Sequence, residues 1–569
     1  MEKKSIIVIG LAIALSVSGV GNVTLLYKLY LRYFPRHYGL NLTLVYGALS
    51  PPHVLDPVNS WDSASNTVLE QVVETLFTYN LSDHGLPRIP LLAESYFWKN
   101  ETCLEIKVKE GIVFHDLTSF NANATKWNFD RMLYLFNCTG TLPPTMTVGE
   151  PAPLYFLPSG EPIINHVVSD YAYNVTIYLN GPYAPFLDLL CYVASAMLSP
   201  VSTPADRYIS LTGGRVIGTG PFAFQYYIPN IEVRLTRWNY YWQAPAFFEE
   251  VILYYYMDFI RCFPTSKCGG VPPKYEMDYI DGFIPSLIDT YDTDPTIHVE
   301  HFTDTYGLPS LAYQYLGMNN KDIDTPWRKA ISYAINYSYI IEEIVNGLVI
   351  RASGPISPGF GAAYNASVVP ADYNLVVARQ TLVDAGYASG LPVNNDPLDA
   401  QWLAANLLSL NYSYNIGNPM REDIYNALSV WLPAIGITVI GDGITWDAFL
   451  RKLFVDQEEL GLFWTGFAPT YLDPFNMLDP LFNPASSYDS AQVNDTKLNG
   501  MIALAVQTTD DNARNTIYKN IQWYLANRLY PHCFGYNAKI TYVHKAELHG
   551  VLYNSLNKFY AYPIYRTSN

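Results

Sequence analysis

Polar and apolar positions change period several times along the chain. Residues 41–46 (NLTLVY) alternate, the two-residue period of a half-buried strand, and SPPHVLDP (50–57) breaks the run. In WDSASNTVLEQVVETLF (61–77), Val68, Val72 and Leu76 recur every four residues and predict a helix. CLEIKVK (103–109) alternates again. A turn at Gly111, a short strand and a helix over 121–133, capped near Asn121, follow. VTIYL (175–179) and IEVRL (231–235) read as further strands.

From about residue 311 the elements lengthen. LAYQYLGMN (311–319) is strand-like. The stretch 325–348 opens with Thr325 as N-cap and Pro326 at the first helical position, and ends at Gly347. A helix over 374–385 stops at Gly386, and Ala513, Ile517, Ile521 and Leu525 share one stripe. Strands and helices mix throughout, with no repeat period and no low-complexity linker. This predicts an α/β protein with interwoven lobes.

Composition sharpens that picture. At 569 residues the chain is too long for one core, and it is 50% hydrophobic. Only 15% is charged, while tyrosine contributes 48 residues, so the surface is rich in neutral hydroxyls and amides. A net charge of −17, with no run of Lys and Arg, excludes nucleic acid as a partner. Between Lys3-Lys4 and Lys28 runs an uncharged apolar segment long enough to span a bilayer. Residues 1–38 are therefore read as a membrane anchor, with a secretory signal as the alternative. Asn-x-Ser/Thr sequons at Asn41, Asn80, Asn100, Asn123, Asn137, Asn174, Asn336, Asn365, Asn411 and Asn494 suit an extracytoplasmic body that carries glycans. So do the six cysteines, of which Cys262 and Cys268 bracket a short loop that a disulfide could close; buried thiols are the alternative.

Several stretches together resemble the dipeptide/oligopeptide class of extracellular solute-binding proteins (family 5) that serve ABC importers. SPPHVLDP with the helix after it is similar to the family's opening segment, and GIVFHDLTSFNANATKWNFDRM (111–132) to its most recognisable stretch. VIGTGPFAFQYYIPNIEVRLTRWNYYW (216–242), residues 315–360 and YNLVVARQTLVDAGY (373–387) match further blocks in family order. The resemblance implies a class II periplasmic-binding-protein-like α/β fold, with two hinged lobes and an inserted subdomain. It places lobe I at 39–75 plus 205–304 plus 531–569, the insertion at 76–204 and lobe II at 305–530. With no lipid-bearing cysteine near the N-terminus, the apolar span would be the anchor, a pattern that looks archaeal.

LGLFWTGFAPTYLDPFNMLDPLF (460–482) falls where the family carries Trp-x-x-Asp-(few)-Asp-Pro. Peptide-binding relatives place an aspartate just past the tryptophan, against the ligand's α-ammonium. Here that position holds Phe467 counted forward from Trp464, or Thr470 counted back from Asp473. Neither supplies a charge, and a desolvated ammonium without a counter-charge costs several kcal/mol. Aromatic faces and neutral hydrogen-bonding groups suit a sugar instead. Trp464, Phe467, Thr470, Tyr471, Trp61 and Tyr46 are the candidate ligand-binding residues, while Asp473 and Asp479, each before a proline, read as turn caps.

No metalloprotease His-Glu-x-x-His, nucleophile elbow or phosphate loop is present, so the expectation is a receptor and not an enzyme, without catalytic residues, metal site or cofactor. The chain reads as a membrane-anchored receptor at the outer face of the cytoplasmic membrane. It would deliver an oligosaccharide or an oligopeptide to ABC permease subunits. The alternative is a surface structural or interaction protein that kept the fold and lost transport; a cleft plugged by its own side chains would mark it.

Overall fold

The computed structural model describes residues 42–48, 50–255, 275–280 and 288–567. The predicted N-terminal anchor, Asn41 and the Cys262–Cys268 pair lie outside the described residues. Among the described residues, no helix is long and apolar enough to cross a membrane, and Cys103, Cys138, Cys191 and Cys533 are free thiols.

Three sheets organise the chain. The first has seven strands in the order Ile297–Glu300, Tyr542–Lys545, Tyr279–Ile280, Thr43–Gly47, Glu250–Tyr254, Glu232–Arg237, Phe222–Ile228. Thr43–Gly47 sits in its middle, parallel to both neighbours. Its core residues Leu44 and Val45 are buried on opposite faces, as a central strand requires. An antiparallel sheet of four strands, Ala93–Asn100, Cys103–Val108, Asn174–Leu179 and Ile164–Tyr171, is inserted after the first helix. The helix Ala122–Leu135 packs on it, and the Asn121 side chain caps that helix by accepting from Ala124 N–H.

The remaining six-stranded sheet runs Val349–Arg351, His532–Ala538, Tyr313–Met318, Leu462–Phe467, Leu408–Asn415, Ile437–Ile444. His532–Ala538, expected in lobe I, pairs here with Tyr313–Met318 and Val349–Arg351 before the chain returns to the first sheet. Among the described residues the chain thus crosses between the two large sheets twice, near 301–312 and near 539–541.

The helix predicted over 61–77 is shorter, Ser63–Val72. It stops because Val73 turns extended and Glu74 enters a buried network. There Glu74 accepts from Thr219 Oγ1 (2.8 Å), Tyr241 Oη (2.7 Å) and Trp242 Nε1 (2.9 Å). Burial pushes its carboxyl up to about 7 against these donors. The Gly218-Thr219-Gly220-Pro221 turn lies directly on the end of that helix: a Cβ on Gly220 would meet the Val72 backbone at 2.7 Å.

Candidate functional site

Trp61 is positioned by the chain on either side of it. Upstream, Asp56 is 1% exposed; its carboxylate accepts from Val58 N–H (3.1 Å) and Ile209 N–H (2.8 Å) and pairs with the equally buried Arg131. A buried pair of this kind holds its loop because removing either partner strands the other charge. Ser60 C=O accepts from the Tyr192 hydroxyl, and Asp62 caps the following helix through Ser65 N–H (2.8 Å). Between these anchors Trp61 stays 51% exposed.

Trp61 faces a cavity of about 670 Å³ between the first lobe with its insertion and the six-stranded lobe. This lies within the roughly 300–1,000 Å³ usual for small-molecule sites. The first side supplies Trp61, Asp62, Tyr183, Tyr192 and a proline-rich loop over 150–160. Across from them stand Phe454, Thr465, Phe467, Thr470, Tyr471 and Tyr488. Phe467 and Phe454 both turn their rings edge-on to Tyr488, with centroids 5.8 and 5.3 Å apart.

The floor is the helix Phe475–Phe482, whose Phe475, Asn476 and Asp479, together with Asn483 just beyond it, face the cavity. Asn476 Oδ1 accepts from Thr470 N–H, from the Thr470 hydroxyl (3.0 Å) and from Tyr471 N–H (3.3 Å), which ties the loop to the floor. Asp473 is a structural cap, as expected. Its carboxylate accepts from Phe475 N–H (2.8 Å) and the Tyr518 hydroxyl (2.6 Å), and it faces Arg514 at 3.6 Å. Asp479 differs from that expectation: it sits inside the helix and lines the cavity. Burial pushes its carboxyl up to about 6, opposed by one hydrogen bond from Asn483 Nδ2 (3.0 Å).

Direct hydrogen bonds join the two sides. The Tyr183 and Tyr471 hydroxyls meet at 2.8 Å. Leu472 N–H donates to Tyr79 Oη (2.8 Å), which in turn donates to Asp188 Oδ1 (3.3 Å). Ala184 N–H donates to Val506 C=O at 2.8 Å.

Of the six candidate residues, Trp61, Phe467, Thr470 and Tyr471 line the cavity. Two do not. Trp464 is fully buried on the other face of its strand, its ring against Tyr536 (5.8 Å) and over Gly535, where a Cβ would meet it at 2.8 Å. The two-residue period of the strand sends Phe463, Thr465 and Phe467 one way, and Leu462 and Trp464 into the lobe II core. Tyr46 is 3% exposed and packs in the lobe I core against Phe559 (4.1 Å) and Tyr279 (5.3 Å).

With this geometry in view, residues 88–489 match the model for bacterial extracellular solute-binding proteins, family 5 Middle. The chain belongs to this family. This solute-binding protein is 25% identical over 487 residues to the glutathione-binding protein GsiB of Shigella flexneri serotype 5b, covering 82% of this chain and 84% of the relative. Among solved structures, it resembles the periplasmic binding protein DppA of Helicobacter pylori in complex with the peptide STSA. The TM-score is 0.72 at 19% identity, over 92% of this chain and 98% of that one. It also resembles the oligopeptide-binding protein AppA of Bacillus subtilis in complex with a nonapeptide, with TM-score 0.69 at 18% identity, over 92% and 99%. The solute-binding protein therefore has the class II periplasmic-binding fold, two lobes with a hinge and an inserted subdomain. Its family is one of extracellular solute receptors, not of enzymes.

Proposed function

We propose that this protein is the extracytoplasmic receptor of an ABC importer and encloses an oligosaccharide or an oligopeptide between its lobes. The observation that carries this reading is the cavity of about 670 Å³, walled by both lobes. An unplugged, aromatic-lined cavity favours a receptor over a surface protein that has lost transport. In this reading lobe I spans 39–75, 205–304 and the C-terminal end, with the insertion at 76–204. The apolar N-terminal segment holds the receptor at the outer face of the membrane. Glycans sit on exposed sequons such as Asn100, Asn123, Asn137, Asn411 and Asn494.

The cargo chemistry follows from what lines the cavity. Trp61, Phe454, Phe467 and Tyr488 offer flat faces for sugar rings or apolar side chains, and Thr465, Thr470 and Asn476 offer neutral hydrogen-bonding groups. The relatives' peptides and glutathione support a peptide; the aromatic faces support a sugar. Among the described residues, no Lys, Arg or His lines the cavity. Glutathione, with two carboxylates, is thus poorly matched. A panel of glycans and di- to pentapeptides, read by tryptophan fluorescence and thermal shift, tests the reading. Saturable shifts with one class identify the cargo, and no shift with any member overturns it.

A further inference from the structure

Three of the buried aspartates are each answered by a basic side chain. Asp56 meets Arg131, Asp188 meets Arg88 and Asp278 meets Arg566. Asp479 faces a cavity in which, among the described residues, no basic side chain stands. The other two carboxylates lining it are already engaged or solvated. Asp62 caps a helix and faces His53 at 3.4 Å, and Glu150 is exposed at the rim. Asp489, which is buried without a basic partner, is not among the residues that line the cavity. An ionised carboxylate at the floor of an apolar, aromatic cavity is costly until a cation or a donor reaches it. The Tyr183 and Tyr471 hydroxyls lie within its electrostatic reach, and the Phe475 ring shares its helix face, so aromatic faces are at hand for the same cation.

We propose that Asp479 is the specificity-determining residue of this cavity: its carboxylate receives a protonated amine of the cargo, so the receptor selects cationic solutes over their neutral counterparts. The inference rests on the cargo binding in this cavity, and it applies to an amino sugar and to a peptide amine alike.

Matched pairs of probes test it: the glucosamine trimer against its N-acetylated form, and trialanine amide against its N-acetylated form. Titration calorimetry at pH 7.5 is expected to show the cationic member of a pair binding about 10- to 100-fold tighter, the scale of a hydrogen bond to a charged group. In Asp479→Asn, which keeps the shape and the contact with Asn483, the ratio of affinities within each pair falls below about threefold. A second readout needs no variant. At pH 6 trialanine amide, whose α-ammonium is already protonated, displaces the proton held by part of the Asp479 population, so calorimetry in buffers of different ionisation enthalpy reports proton release. The neutral probe releases none. The groups facing Asp479 are Asn483, Tyr183 and Tyr471, and none of them titrates at that pH. A preference that survives in Asp479→Asn, a charge-blind wild type, or binding without proton release overturns the inference and leaves the receptor reading standing. Failure of all four probes to bind wild type overturns the cargo class, and the inference with it.

Discussion

The pair of hydroxyls at Tyr183 and Tyr471 gives a direct measure of how lobe closure is held. Both side chains are almost fully buried, and the hydroxyls are 2.8 Å apart across the cleft. Tyr471→Phe removes one hydroxyl and leaves its partner buried without it. Such a loss costs about 1–3 kcal/mol, but only in the closed form, because separated lobes return both hydroxyls to water. The closed population should therefore fall by about 5- to 150-fold relative to the open one. Tyr183→Phe should act alike. The double variant replaces both partners by apolar groups of the same shape and should recover most of the loss. The assay is fluorescence transfer between a dye on the four-stranded insertion and one on the six-stranded lobe, in the four proteins of the cycle. Unchanged closure in either single variant, or a double variant more open than both singles, would refute the reasoning.

Two further outcomes are expected. Trp61→Ala should leave the melting temperature unchanged and weaken cargo binding about tenfold through the lost aromatic face, whereas Trp464→Ala should cost about 3–5 kcal/mol of stability by opening a cavity in the lobe II core. Urea denaturation with binding isotherms separates them, and a Trp464→Ala protein as stable as wild type would contradict the packing described. Stability should also fall as pH rises. Burial lifts Glu74 to about 7, Asp188 and Asp479 to about 6 and Asp489 to about 8. Each folded value lies above the unfolded one, so their contribution is complete below about pH 4 and is lost as pH climbs through 6 to 8. A tenfold change in proton affinity is worth about 1.4 kcal/mol, so the combined loss is several kcal/mol. Melting temperatures that are flat or rise between pH 5 and 8.5 would count against it.

The strands and helices were largely legible because their periods are clean: Asn121 caps its helix, and the helix expected over 374–385 runs Leu375–Asp384 with Asn374 as cap. The facing of Trp464 was not. Its strand is covered on both faces, so LGLFW shows no alternation from which to choose a side. Asp479 was hidden by the proline after it, which reads as a turn, although the helix Phe475–Phe482 accommodates Pro480 near its end. Its signal lay in the i, i+4 spacing from Phe475 and to Asn483. The proline-rich wall over 150–160 has no period at all, and its place beside the cavity follows only from the tertiary fold.

The strand order of the first sheet also sets a timetable for folding. Tyr542–Lys545 lies between Ile297–Glu300 and Tyr279–Ile280, so among the described residues Ile297–Glu300 has no strand partner, and Tyr279–Ile280 has only Thr43–Gly47, until almost the whole chain has been made. The six-stranded sheet has all its strands once His532–Ala538 is available, before the last strand of the first sheet has been made. The first lobe waits with open edges for the last strand to arrive, a long-range pairing that is intrinsically slow. In a family of extracellular proteins such a delay is of use, because a chain that stays unfinished until its end has been made stays threadable until then.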